Sequence, residues 1–359
     1  MRRFESCRGR VTTTLGTKWR ATAAIAVVLV GFAALTACGS SDQSTAKPSD
    51  VSPSSSPTST PTTINPLTGL PGAAGPVLIL KIDNTANALP HIGLAAADVV
   101  YVEEVEGGLT RLAAVYSSKV PSRVAPIRSA RETDAELFPM YGRVAIGYSG
   151  AEPPVRRLIK ASPLIDVGGG SGYARLSSRS APYNEYAVPR KLLARAKNSA
   201  TATSVGFVFG ELPTGGRPAT TLTATFPSAR IVMTYDPSSG KWRYSLGTRP
   251  DISPEGRIAA DTVIVQSVRL SNTGRKDAAR NAVPKVNTIG SGTAIVLRDG
   301  RSFTARWSRP TIGSPTRFLI NGADVPLKPG KVWVILLDKR LTPKITGPKV
   351  APTATATPR

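Results

Sequence analysis

Between residues 83 and 131 the chain carries five carboxylates, Asp83, Asp98, Glu103, Glu104 and Glu106, together with Arg111, Arg128 and Arg131. Two carboxylates at a suitable separation act as acid and base in glycoside hydrolysis. Several together gather a hard cation. The structural alternative gives each a local role, with Glu104 as cross-strand partner of Arg111, Asp98 as a turn cap, and Glu106 as a support for the Gly107-Gly108 connection. That alternative is favoured here, and no metal or catalytic residue is assigned. If the protein is an enzyme, the pair comes from Asp83, Asp98, Glu103 and Glu106. The run Arg128-Ser129-Ala130-Arg131 offers different chemistry. Guanidinium groups beside the free N–H groups of a helix start hold phosphate or carboxylate. Ser129 with Glu132 three residues later reads as a capping box that opens a helix through about Tyr141. Its structural alternative pairs the arginines with Asp134 or nearby acids. Arg111, Arg128, Arg131 and Asn184 are the candidate binding residues.

Other reagents are scarce. The chain has two cysteines, Cys7 and Cys38, and one histidine, His91. Thiol nucleophiles, thiolate zinc sites, disulfide scaffolds and Ser-His-Asp chemistry are therefore excluded for everything after Cys38. The glycines at 168–172 lack the Gly-Lys-Ser/Thr of a phosphate loop, and no Gly-x-Ser-x-Gly elbow occurs. No cofactor is implied. His91 follows a proline in a loop and is expected at the surface.

The ends of the chain are not domain material. Arg2, Arg3, Arg8, Arg10, Lys18 and Arg20 precede an apolar run from Ala21 to Leu35, too short for a spanning helix but right for an export signal. The run ends in Leu35-Thr36-Ala37-Cys38, which resembles a lipobox, with Cys38 as the lipidated residue (residues 1–37 being the signal peptide). Residues 38–64 are rich in Ser, Thr and Pro and are expected to form a disordered tether. Residues 342–359 read as a second solvated tail. The expected location is the outer face of a cell membrane, with attachment through lipid on Cys38.

Charge is distributed unevenly. From Cys38 onward the net charge is +18; residues 81–136 hold eight acids and six bases, whereas residues 185–359 hold 27 bases and 10 acids. In an exported protein a basic half points to anionic cell-wall polymers, lipid headgroups or an envelope protein rather than to nucleic acid.

The elements that must position these residues are mostly strands. Residues 77–83 read as a buried strand, and 98–105 with 110–117 as a hairpin around Gly107-Gly108. A strand at 144–148 and a short helix after Pro153-Pro154 follow. Beyond residue 204 the pattern turns to β: 231–235 with 241–246, 262–270, 294–298 with 302–307 around Asp299-Gly300, 317–320 with 324–327 around Asn321-Gly322, and 332–337. Trp307 and Trp333 are expected in the core. The pattern changes at about residue 204, from mixed strands and helices to β structure.

These motifs resemble the YerB-like family of bacterial lipoproteins, whose domains are of unknown function. The likeness rests on Asn65-Pro-Leu-Thr-Gly-Leu70, Ile82-Asp-Asn84, Ala97-Asp-Val-Val-Tyr101, Glu106-Gly-Gly-Leu-Thr-Arg111, Pro126-Ile-Arg-Ser-Ala-Arg131 and Ala181-Pro-Tyr-Asn184. Pro329-Gly-Lys-Val-Trp333 continues it in the second half. The resemblance implies an α+β fold, layered mixed sheets with a few helices, in two coupled subdomains at 65–203 and, richer in β structure, 204–341, and no established reaction. Tyr183 stands where the family often has histidine. The functional expectation is a non-catalytic envelope binding protein, with a carboxylate-dependent hydrolase or transferase acting on wall glycans as the alternative.

Overall fold

A computed structural model describes residues 63–348 apart from Ala278. The leader, Cys38, most of the tether and the last eleven residues lie outside the described residues. No described helix is long and apolar enough to cross a membrane.

Short apolar runs in the first half become β1 (Leu78–Asp83), β2 (Val99–Glu104), β3 (Thr110–Tyr116), β4 (Ala145–Gly147) and β5 (Ile165–Asp166). Three helices accompany them, α1 (Glu132–Leu137), α2 (Pro153–Ala161) and α3 (Pro189–Arg195). The second half supplies β6 (Thr221–Thr225), β7 (Arg230–Asp236), β8 (Lys241–Leu246), β9 (Thr262–Lys276) and β10 (Ala282–Asn287). It continues with β11 (Gly290–Arg298), β12 (Arg301–Arg309), β13 (Arg317–Ile320), β14 (Val332–Asp338) and β15 (Lys344–Thr346). The fold is strand-rich with few helices.

One large mixed sheet runs β13-β12-β11-β9-β14-β2-β3-β1-β4-β5. Its key step joins the halves: β14 lies parallel to both β9 and β2, with Val332 opposite Val99 and Ile335 opposite Val102. All seven residues of β14 are buried, which explains its continuous apolar sequence, Val-Trp-Val-Ile-Leu-Leu before Asp338. Pleating sends alternate residues to opposite faces. Ile79, Tyr101 and Ala113 pack with Phe138, Val155 and Ile159 of the helical layer. Ile82, Val102 and Trp333 pack against Leu222, Met233 and Trp242 of the second sheet, β6–β8. Trp307 and Trp333 are both core residues.

The Asp299-Gly300 turn takes positive φ at both positions, as do Asn321 and Gly322, which is what two-residue hairpins of the right twist demand. Four local expectations need correction. The 104–110 connection is not a two-residue turn: Val105 N–H donates to Leu109 O at 2.8 Å, closing a five-residue loop. The register therefore sets Glu103, not Glu104, opposite Arg111, with Glu104 opposite Thr110. Ser129 does not cap α1. The helix starts at Glu132 behind Arg131, whose N–H donates to Asp134 Oδ2 at 2.7 Å, and only a 3-10 turn continues it through Tyr141. The segment expected at 324–327 splits, since Pro326–Leu327 pair with Val208–Phe209 instead. Residues 342–348 are not all tail, because β15 pairs with β6 and closes the edge of the second sheet.

Candidate functional site

The corrected register builds the site. Lys81 and Asp83 of β1, Arg111 of β3 and Glu103 of β2 all face the helical layer, and Arg111 stands opposite both Asp83 and Glu103. Chain segment 126–131 crosses the ends of these strands, with Asp83 N–H donating to Pro126 O and Arg128 N–H to Lys81 O. It carries Arg128 and Arg131 to the same end of the sheet, and α1 adds Asp134.

The inner part is a closed buried triad. Lys81 Nζ donates to Glu103 and, at 2.7 Å, to Asp134 Oδ1. All three side chains are essentially inaccessible. Burial pushes the Glu103 carboxyl up, Lys81 pulls it back, and the Asp134 carboxylate raises it further. One ammonium thus serves two acids.

The outer part holds the three arginines. Asp83 Oδ2 lies 2.6 Å from Arg128 Nε, an ion pair whose alignment falls short of a hydrogen bond. Its other oxygen accepts from Thr85 N–H and Oγ1–H at 2.8 and 2.6 Å. Glu106 Oε2 pairs with Arg131 Nη2, while Glu106 Oε1 and Arg131 Nε are buried without a described partner. Arg111 is buried and donates Nη1–H to Ser129 O at 3.2 Å, yet forms no ion pair with any described residue. Burial, then the charges of Arg131 and Arg128, bring its guanidinium down to about 10 against the opposing pull of Glu106 and Asp83.

The remaining candidates lie elsewhere. Asp98 sits at the opposite end of the central strands, where Oδ2 accepts from Ser117 N–H at 2.7 Å and Ser118 N–H at 2.9 Å. Burial raises its carboxyl. Glu104 points to the other face of the sheet; burial and Asp338 raise its carboxyl against Arg340. Asn184 Oδ1 accepts from Arg175 Nη1 at 2.8 Å on a separate hairpin, Tyr173–Arg175 with Glu185–Ala187. Three of the four expected binding residues therefore converge and Asn184 does not join them. Of the four carboxylates considered for catalysis, three cluster, and each carries a cationic partner. Among the described residues no three Asp, Glu, His or Cys groups converge on a metal position.

Two functional elements escaped the sequence reading. Lys81 was visible only as a single charge inside the apolar run Leu-Ile-Leu-Lys-Ile. His91, expected at the surface, is fully buried: Nδ1 lies 2.6 Å from Asp251 Oδ2 and Nε2 lies 2.7 Å from Asp83 O. The guanidinium groups of Arg111, Arg128 and Arg131 gather at one end of the sheet, beside Asp83 and Glu106, each of which pairs with one of them.

Residues 67–202 match the family model described as "Protein of unknown function (DUF3048) N-terminal domain", and residues 222–334 match the C-terminal domain of the same family. A Bacillus subtilis (strain 168) protein named "Putative lipoprotein YerB" is 30% identical over 115 residues, 31% of this chain and 34% of that protein. The alignment thus spans about a third of the relative's length. A solved crystal structure of YerB protein from Bacillus subtilis superposes with a TM-score of 0.67 at 19% identity, covering 79% of this chain and 99% of that one. That likeness establishes the fold. Matched by consecutive models over well more than half its length, the chain belongs to the YerB-like DUF3048 family.

Proposed function

We propose that this protein is an exported lipoprotein, held on the outer face of a membrane through lipid on Cys38. Its body binds a phosphate- or carboxylate-bearing wall polymer at Arg111, Arg128 and Arg131. The observation that carries the reading is Arg111, a buried guanidinium without an ion-pair partner beside two further arginines. A buried charge in that state opposes folding unless something else compensates it. An anionic ligand compensates it and accepts from a planar, bidentate donor. The lipobox and the lipoprotein name of the Bacillus relative support the anchor. A carboxylate-dependent hydrolase needs two acids free to reach a substrate. Asp83, Glu103 and Glu106 are paired, and Asp98 is remote, so the geometry gives that alternative no support.

The test is co-sedimentation of the unlipidated chain, starting at Gly39, with a purified anionic wall fraction. Binding is expected to weaken with salt, as polyanion contacts do. It is expected to fall about ten-fold or more in Arg111→Gln, the scale of one lost charge-assisted bidentate contact. Retention that ignores both salt and Arg111 removes the polyanion reading, and released sugars remove the non-enzymatic one.

A further inference from the structure

A charged concavity lies at the end of the central strands opposite the arginine cluster. Its volume is about 550 Å³, and its wall includes Asn65, Leu70, Lys119, Lys241, Asp261 and Lys331. Asp98 and Ser118 also line it, which places it at the start of β2 and the end of β3. The arginine cluster sits at the other end of these six- and seven-residue strands, roughly 20 Å away. The tether enters the body beside this pocket. Thr63 O accepts from Gly72 N–H at 2.8 Å, and Ile64 bridges to Pro71, itself part of the wall.

Three lysines converge here on acids that are largely spoken for. Asp261 accepts from Lys241 Nζ at 2.9 Å and from Lys331 N–H at 2.8 Å. Asp98 is closed by Ser117 and Ser118. Lys331 Nζ donates to Ala95 O, and Lys119 is exposed and forms no ion pair with a described residue. Burial and the charges of Lys241 and Lys119 push the Lys331 ammonium down against Asp261 and Asp98, as expected where positive charge exceeds negative. Asn65 is buried with Oδ1 accepting from Leu67 N–H, and its Nδ2 has no described partner. Two apolar side chains, Ile64 and Leu70, are exposed at the same rim, at 54% and 45%. Lysines beside exposed apolar residues match the chemistry of an anionic membrane interface.

We propose that the tether-proximal face docks on the membrane that holds the anchor, with the lysine pocket taking the phosphate of an anionic phospholipid headgroup. The inference rests on the lipid-anchor part of the reading above. Only 24 residues separate Cys38 from Thr63. Such a connection holds the pocket at high effective concentration relative to the bilayer, so a weak site is occupied. Docking this end directs the arginine cluster away from the membrane, toward the wall.

The experiment uses the unlipidated chain from Gly39, which retains the complete body, with vesicles of phosphatidylglycerol and phosphatidylcholine against vesicles of phosphatidylcholine alone. Retention is expected on the anionic vesicles only. Loss of one interfacial lysine in Lys119→Gln should reduce the partition coefficient about five-fold. Leu70→Ser should reduce it about two- to three-fold through lost apolar contact. Both residues are exposed, so melting temperatures of the two variants should match wild type. Retention on neither vesicle, equal retention on both, or an unaffected Lys119→Gln variant overturns the proposal. Binding of inorganic phosphate that weakens in Lys119→Gln but not in Arg111→Leu, without vesicle retention, assigns the pocket to free phosphate and also overturns membrane docking. The mass of the protein extracted from membranes reports lipid on Cys38 separately, so the anchor and the docking face fail independently.

Discussion

Lys81→Met is expected to destabilise the body by about 3–5 kcal/mol, the usual result of removing one partner from a buried ionic network. Methionine fills nearly the same volume but leaves Glu103 and Asp134 facing each other without the ammonium that both contact. The pH dependence gives the prediction its signature. The Glu103 carboxyl is already raised in the folded protein by burial and by Asp134. A raised carboxyl means that the folded state holds the proton more firmly than the unfolded chain. Stability is therefore lost as pH climbs from the ordinary carboxylate range through the folded-state value, and regained as pH falls. Removing Lys81 removes the group that moderates this shift, so the Lys81→Met deficit should shrink on acidification. Glu103→Gln leaves a neutral Lys81–Asp134 pair and should cost much less, with a flatter profile. Urea unfolding of the three proteins at mildly acidic and mildly alkaline pH measures this. A Lys81→Met variant equally stable at both, or indistinguishable from wild type, contradicts the role given to the triad.

His91→Phe should produce a loss of comparable size, about 3–5 kcal/mol, for a related reason. Both ring nitrogens lie at hydrogen-bond distance from protein oxygens, Asp251 Oδ2 and Asp83 O. Asp251 is itself fully buried and also accepts from His91 N–H at 3.1 Å. Phenylalanine leaves that carboxylate buried without its ring partner. The contact ties the segment after β1 to the segment after β8. The neighbouring Tyr244 hydroxyl, which donates to Asn84 Oδ1 at 2.6 Å, makes a second polar tie between the halves. The double change His91→Phe with Asp251→Leu should recover part of the loss, since coupled neighbours do not add. Full additivity of the two changes in urea titrations contradicts the pairing.

Local signals predicted much of the fold. Asp299-Gly300 and Asn321-Gly322 marked their turns because positive φ at both central positions restricts the residue choice. Trp307, in an alternating strand, and Trp333, in a continuous apolar one, are both core residues. The pairing of Val99 with Val332 was not legible, because β2 and β14 join over more than two hundred residues and neither strand specifies its neighbour. The candidate site divided along the same line. Arg128 and Arg131 were singled out by residue type beside an expected helix start, and Arg111 by its place in the hairpin opposite a carboxylate. The length of the 105–109 loop was not, and a one-residue change of register moves a side chain to the opposite face. That shift replaces Glu104 with Glu103 opposite Arg111 and brings Lys81 into the cluster. His91 was misplaced because its partner, Asp251, comes from the other half of the chain.

The arginine cluster is best tested by thermal melting of wild type and Arg111→Leu, with and without inorganic phosphate at constant ionic strength. A ligand bound only by the folded state raises the melting temperature, whereas an uncompensated buried charge lowers it. The prediction is that Arg111→Leu melts no lower than wild type without phosphate and loses most of the rise that phosphate gives wild type. A variant that melts several degrees lower while retaining the full phosphate response makes Arg111 a structural residue and contradicts the proposed binding site.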